Sequence, residues 1–352
     1  MAIDEAKLNE FMGRFVQDIG AVMHAATVVV GDQLGLYKAL AKGPPAQVEE
    51  LARRTETDPR YLREWLSAQA ASGYVSYDPA SQCFSLSEEQ AFALAEEGSP
   101  AFIPGAFEIS VDQFKSIPKM KQALRTGLGI GWHEHDPALF NGTERFFRPA
   151  YAADLIPKWL PALDGVVARL EAGASVADVG CGHGASTLIM AEAFPKSRFV
   201  GYDYHAPSVE YASAAARKAG LAERVRFEVA SAQDFPGSGY DLVAMFDCLH
   251  DMGDPAGAAA HVHSSLATDG CWLIVEPFAN DRLEDNLNPI GRVFYSASAF
   301  ICTPASRAQQ GARCLGAQAG EARIREVASE GGFTHFRRAT ETPFNLVFEA
   351  RL

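Results

Sequence analysis

Between residues 11 and 23, apolar side chains recur at three- and four-residue intervals, at Phe11, Met12, Phe15, Val16, Ile19, Val22 and Met23, while Arg14, Gln17 and Asp18 take the other side. This period predicts an amphipathic helix whose apolar stripe needs a cover, either from its own domain or from a second subunit. From Gln47 to Tyr77 the pattern reads helix, tight turn, helix, hairpin. Asp58 caps the second helix, Pro59 opens it and Gly73 ends it, and Tyr74–Tyr77 and Cys83–Leu86 read as two strands around the turn at Asp78–Ser81. Residues 101–150 are rich in Gly, Pro and aromatics and read as a connector. From Ala174 onward short apolar runs alternate with helical stretches, the pattern of a parallel sheet with crossover helices, and residues 151–352 read as one α/β domain.

The N-terminal order resembles a winged helix, which raises the question of DNA. Charge argues against it: residues 1–100 carry 8 Lys plus Arg against 15 Asp plus Glu, and the second helix offers only Arg60 and Arg63, with Glu64 beside them. A phosphate backbone has to be neutralised by clustered cations. The whole chain is acidic too, with a formal charge of −13 over 352 residues, a length that suits about two domains. Packing or dimerisation is therefore the expected role of residues 1–100, and a homodimer the expected assembly. The run Ala25–Val30 falls far short of the ~20 apolar residues of a membrane span. Six scattered cysteines with no CxxC pair, together with the acidic start from Met1 to Glu5, point to a reduced, cytoplasmic chain without a secretory signal or a metal framework.

The chemistry is concentrated after Ser175. Asp178 ends an apolar strand, and Gly180, Gly182 and Gly184 follow at alternate positions before a helix, so the backbone can turn sharply and approach a ligand. The next strand ends in Asp203, 25 residues after Asp178, a second carboxylate at a strand's carboxyl end. The spacing Asp-x-Gly-x-Gly-x-Gly resembles motif I of class I S-adenosylmethionine-dependent methyltransferases. The strands Arg224–Ala230, Tyr240–Asp247 and Cys271–Pro277, a helix around Ile324 and the strand Phe344–Ala350 follow in that family's order. The resemblance implies a Rossmann-like seven-stranded mixed sheet and S-adenosylmethionine as cofactor. It implies that Asp178, Gly180, Gly182 and Gly184 shape the cofactor site, with Asp203 and the adjacent Tyr204 at the ribose and Ser231, Ala232 and Gln233 near the adenine. Ser231 stands where the family usually has an aspartate.

The segment Cys248–Pro255 resembles the Leu-His-Asp-Trp stretch of winged-helix O-methyltransferases, with Met252 in place of the Trp. This likeness assigns His250 as the general base toward an acceptor hydroxyl, a task suited to an imidazole with an ordinary pKa of about 6.5. Glu276 would hold its tautomer, and Asp247 faces the same crevice. The aromatic stretch at Trp132 and His133 is expected to lid the active site, with Tyr151 and Trp159 near the cofactor. His133 and His135 could share one side of an extended segment, but a closed zinc site needs about four ligands, so no metal is expected. The insertion after Glu276 offers Arg292 and Tyr295 for an anionic or aromatic acceptor. The expected activity is methyl transfer to a small molecule at oxygen. Transfer to nitrogen or sulfur, a winged-helix regulator that senses the cofactor, and a nicotinamide-dependent oxidoreductase stand as alternatives.

Overall fold

A computed structural model describes residues 3–352; Met1 and Ala2, the first residues of the acidic start, lie outside it. The chain forms two compact units, Met1–Asp112 with Asn141–Pro149, and Gln113–Phe140 with Ala150–Leu352.

The first unit opens with α1 (Glu5–Gln33), capped by the Asp4 carboxylate, followed by α2 (Leu36–Lys42), α3 (Val48–Thr55) and α4 (Pro59–Ala71). Asp58 accepts from the backbone N–H of Arg60 and Tyr61, Pro59 begins α4, and Gly73 leaves it at φ 74°, as the capping pattern requires. Strands β1 (Ser76–Asp78) and β2 (Cys83–Ser85) pair antiparallel as the wing, and α5 (Glu88–Leu94) follows behind a Ser87/Gln90 capping box. A buried polar knot joins α1 to α4. Gln69 accepts from the Tyr37 hydroxyl at 2.7 Å, meets His24 Nε2 at 3.1 Å and donates to Thr27 Oγ1 at 2.9 Å, while Trp65 Nε1 donates to the Thr27 carbonyl at 2.8 Å. Only His24, Val28 and Gly31 of α1 are buried. The seven apolar residues of its predicted stripe stay 37–68 % exposed, so the stripe is not covered by its own domain.

Residues 101–150 depart from the expected connector. They are mostly helical: α6 (Pro104–Thr126) and α7 (Pro137–Asp154) leave residues 101–103 and 127–136 irregular apart from one turn at Trp132–Glu134. Pro104 and Pro137 open these helices, and Pro118 and Pro149 sit inside them. Arg145 on α7 donates to Asp32 at 2.6 and 3.0 Å, to Glu97 at 2.9 Å and to Glu108 at 3.0 Å, all within the first unit.

The second unit continues with α8 (Val166–Ala172), β3 (Ser175–Val179), α9 (Ala185–Ala193), β4 (Arg198–Asp203), α10 (Ala206–Lys218), β5 (Val225–Val229) and β6 (Tyr240–Phe246). It closes with α11 (Pro255–Ser265), β7 (Leu266–Pro277), α12 (Pro289–Phe300), α13 (Cys302–Ala308), α14 (Gly320–Glu330), β8 (His335–Glu341) and β9 (Asn345–Arg351). The seven strands lie in the order β5-β4-β3-β6-β7-β9-β8, parallel from β5 to β7 and antiparallel at the last two. Strands β3 and β6 are buried along nearly their whole length, which is why they read as continuous apolar runs. The strand order reverses between β3 and β6, and in such sheets the crevice beyond the strand ends at that point is where ligands bind.

Candidate active site

The glycine loop occupies that crevice. Gly180 and Cys181 donate their N–H groups to the Tyr202 carbonyl at 2.8 and 3.0 Å, tying the loop to β4. Gly180 has φ 75°, and a Cβ there would stand 2.6 Å from Cys248 Sγ, so only glycine lets the loop pass. Gly182 also has positive φ, 51°, but a Cβ would meet nothing within 4 Å; the backbone here borders open space.

Asp178 is 1 % exposed. Its Oδ2 accepts from Ser186 and Thr187, each at 2.6 Å, while its Oδ1 is buried without a partner among the described residues. Burial holds its pKa up at about 6 against the pull of those two hydroxyls. Asp203 accepts from the Gly182 N–H at 2.9 Å and the His205 N–H at 2.8 Å, and burial raises its pKa as well. Tyr204 beside it is half exposed. Ser231, at the end of β5, turns its hydroxyl to Asp234 at 2.6 Å, and Gln233 donates to the Asp254 carbonyl at 3.1 Å; Ala232 between them is half-buried.

Beyond β6 the chain makes a sharp turn. Asp247 has φ 51°, uncommon for a residue with a Cβ but best tolerated by Asp and Asn. Its carboxylate receives the Tyr151 hydroxyl at 2.8 Å and Asn345 Nδ2 at 3.4 Å, and burial, then the nearby Glu276 charge, lifts its pKa to about 7. Tyr151 packs at 5.9 Å from Trp159 and 5.3 Å from Phe246, and Trp159 stacks on Phe246 at 6.5 Å. A 3-10 turn at Leu249–Asp251 then presents His250. Its Nδ1 lies 2.5 Å from Glu276 Oε2 at the end of β7, and Glu276 Oε1 accepts from the Leu249 N–H at 3.0 Å. His250 Nε2 lies 3.1 Å from Asp251 Oδ1. Burial of His250 opposes its proton, but the Asp251 and Glu276 charges outweigh it and raise the pKa well above the ordinary imidazole value.

The structure thus gathers Asp178, Asp203, Asp247 and Glu276 with His250 at the carboxyl ends of β3, β4, β6 and β7, and it brings Tyr151 to Asp247. Residues not expected from sequence complete the arrangement: Ser186, Thr187, Asp251, Asn345 and Cys302. Elsewhere, Trp132 is half-buried between His135 at 5.9 Å and Phe140 at 5.6 Å, and Phe140 stacks on His205 at 4.6 Å. His133 is exposed and His135 buried, and among the described residues neither joins a cluster of three donors able to hold a metal. Arg292 is exposed and Tyr295 half-buried on α12. A crevice walled by buried and half-buried carboxylates suits a cationic ligand, because such groups ionise at least cost beside a positive charge.

Comparison with known proteins decides which. Residues 170–327 match the family described as methyltransferase domain, and residues 22–96 the Rv2258c-like winged HTH domain. The chain carries a class I S-adenosylmethionine-dependent methyltransferase domain behind a winged-helix domain. Trans-aconitate 2-methyltransferase from an Acidovorax species is 30 % identical to this chain over 191 residues, covering 53 % of this chain and 66 % of the relative. The chain spans less than two thirds of the length of these curated relatives, down to 5 % for a polyketide synthase from Burkholderia thailandensis. The two-domain fold is shared with a putative O-methyltransferase from Nostoc punctiforme (TM-score 0.71, 19 % identity, 96 % of this chain and 98 % of that one). Human N-acetylserotonin methyltransferase, solved in complex with SAM, shares the fold at TM-score 0.71 and 16 % identity over 99 % of this chain and 98 % of the human chain. The unpartnered Asp178 Oδ1, the open side of Gly182 and the anionic walls fit this cofactor, whose sulfonium and ammonium are cationic. Among the described residues no single helix is long and apolar enough to cross a membrane.

Proposed function

We propose that the protein transfers a methyl group to a hydroxyl oxygen of a small-molecule acceptor, with His250 as the general base. The observation that carries this reading is the contact of His250 Nδ1 with Glu276 at 2.5 Å, beside the glycine loop that borders the cofactor crevice. Bound S-adenosylmethionine supplies an activated methyl on a positively charged sulfur. Asp178, through its unpartnered Oδ1, would hold the methionine ammonium, and Asp203, fixed by two backbone N–H groups, would accept from the ribose hydroxyls. Ser231, Ala232 and Gln233 border the adenine, and Trp132 and His133 the acceptor. With Nδ1–H donated to Glu276, His250 carries its lone pair on Nε2 only in its deprotonated form, which its raised pKa places toward alkaline pH, and Nε2 is then the atom that removes the acceptor proton. Asp251 and Glu276 then stabilise the imidazolium. Asp247, held by Tyr151, completes the anionic wall on the other side.

The names of the relatives support a small acceptor, since both trans-aconitate and N-acetylserotonin methyltransferases are named for one. Operator DNA is disfavoured because the two arginines exposed on α4 are engaged by acids, Arg60 with Glu64 at 2.5 Å and Arg63 with Glu49 at 3.0 Å. The same reading makes the protein a cytoplasmic homodimer, supported by its six free thiols and the bare apolar stripe of α1. His250→Ala is expected to lower kcat about a hundredfold or more while S-adenosylhomocysteine affinity, measured by calorimetry, stays at the wild-type value. Turnover within a fewfold of wild type removes the base assignment.

A further inference from the structure

We propose that His250, Asp251 and Cys302 form a binding site for Zn2+. Their donor atoms, one from each residue, all lie within 4.8 Å of one another. His250 and Asp251 come from the 3-10 turn after β6, and Cys302 from the first residue of α13. His250 and Cys302 are buried and Asp251 is largely so, which keeps water from competing for the donors. Zn–N and Zn–O bonds of about 2.0–2.2 Å and a Zn–S bond of about 2.3 Å place tetrahedral donors roughly 3.3–3.6 Å apart. The separation of His250 Nε2 from Asp251 Oδ1, 3.1 Å, already has this size. The wider pairs have to close by up to about 1.2–1.5 Å to reach it.

The outer groups favour the same ion. A metal-bound imidazole almost always donates its second N–H to a carboxylate or carbonyl, which orients the ring and strengthens it as a ligand. Glu276 occupies that position on Nδ1 at 2.5 Å. A thiol and an imidazole in the donor set select a borderline-soft ion over Mg2+ or Ca2+, which prefer all-oxygen shells. The carboxyl groups of Asp251, Glu276 and Asp247 give a dication a favourable field. Three protein donors leave a fourth position for water or a ligand. The site stands independently of the proposed reaction. Its consequence rests on that reading: zinc occupies the Nε2 lone pair that the base needs, so the loaded enzyme is blocked.

The test begins with full-length protein stripped by EDTA and titrated with Zn2+ against a chromophoric chelator. One equivalent per chain is expected. Cys302→Ser and Asp251→Asn should each weaken binding at least tenfold, with calorimetric S-adenosylhomocysteine binding as the control that both variants are folded. Co2+ in place of Zn2+ should give a thiolate-to-metal absorption band that disappears in Cys302→Ser. No stoichiometric uptake, or uptake unchanged in both folded variants, overturns the site. Stoichiometric uptake that leaves methyl transfer unimpaired upholds the site and overturns His250 as the base, so the two readings fail separately.

Discussion

Asp178 shows how function is purchased at the level of one side chain. Its pKa of about 6, raised by burial, means that the folded state binds its proton more tightly than the unfolded chain does. The stability linked to this group is therefore present below the ordinary carboxyl pKa and is lost as pH climbs through about 6, a loss on the order of 2–3 kcal/mol by neutrality. Asp178→Asn cannot acquire the charge. The melting temperature of the variant minus that of the wild-type apoprotein should rise by several degrees between pH 5 and pH 8, and S-adenosylhomocysteine should stabilise only the wild type. A difference independent of pH removes this account. Asp178, the glycines and Asp203 were legible in the sequence because they lie on consecutive strand–loop–helix units, and Ser186 and Thr187 follow only eight and nine residues later. Asn345 reaches Asp247 across 98 residues and Cys302 lies far along the chain from His250, and no local pattern announces either meeting.

Among the elements, α1 offers a controlled comparison within one helix. A Cβ on Gly31 would stand 2.3 Å from the Trp65 ring, whereas around Gly13 and Gly20 there is nothing within 4 Å. Gly31→Ala should lower stability by about 1–3 kcal/mol through overpacking of the α1–α4 contact. Gly20→Ala should raise it by roughly 0.5–1 kcal/mol, because alanine loses less backbone freedom in a helix. Urea midpoints of the two variants on opposite sides of the wild type are the expected outcome; equal shifts would refute the packing argument. Strands and caps were the most legible elements, since Asp58, Pro59 and Gly73 each carry a specific backbone preference. The helices within residues 101–150 were not, because Pro118 and Pro149 interrupt a period that the tertiary context restores.

For the whole molecule, the bare stripe of α1 sets the expected assembly. Sedimentation of the wild type should give a dimer, and Phe15→Glu, which puts a charge into the stripe, should shift it to monomer without altering the melting transition of either unit. A wild-type monomer at micromolar concentration would leave the stripe for another partner. The aromatic packing around Asp247 has a different consequence at this scale. Trp159 has no exposed surface and lies between Tyr151, which holds the Asp247 carboxylate, and Phe246, which precedes it in the chain. Its indole emission should therefore be blue-shifted and respond to changes of charge at that carboxylate, so that once Trp65, Trp132 and Trp272 are replaced the crevice should carry an intrinsic optical reporter of its own state and need no added dye.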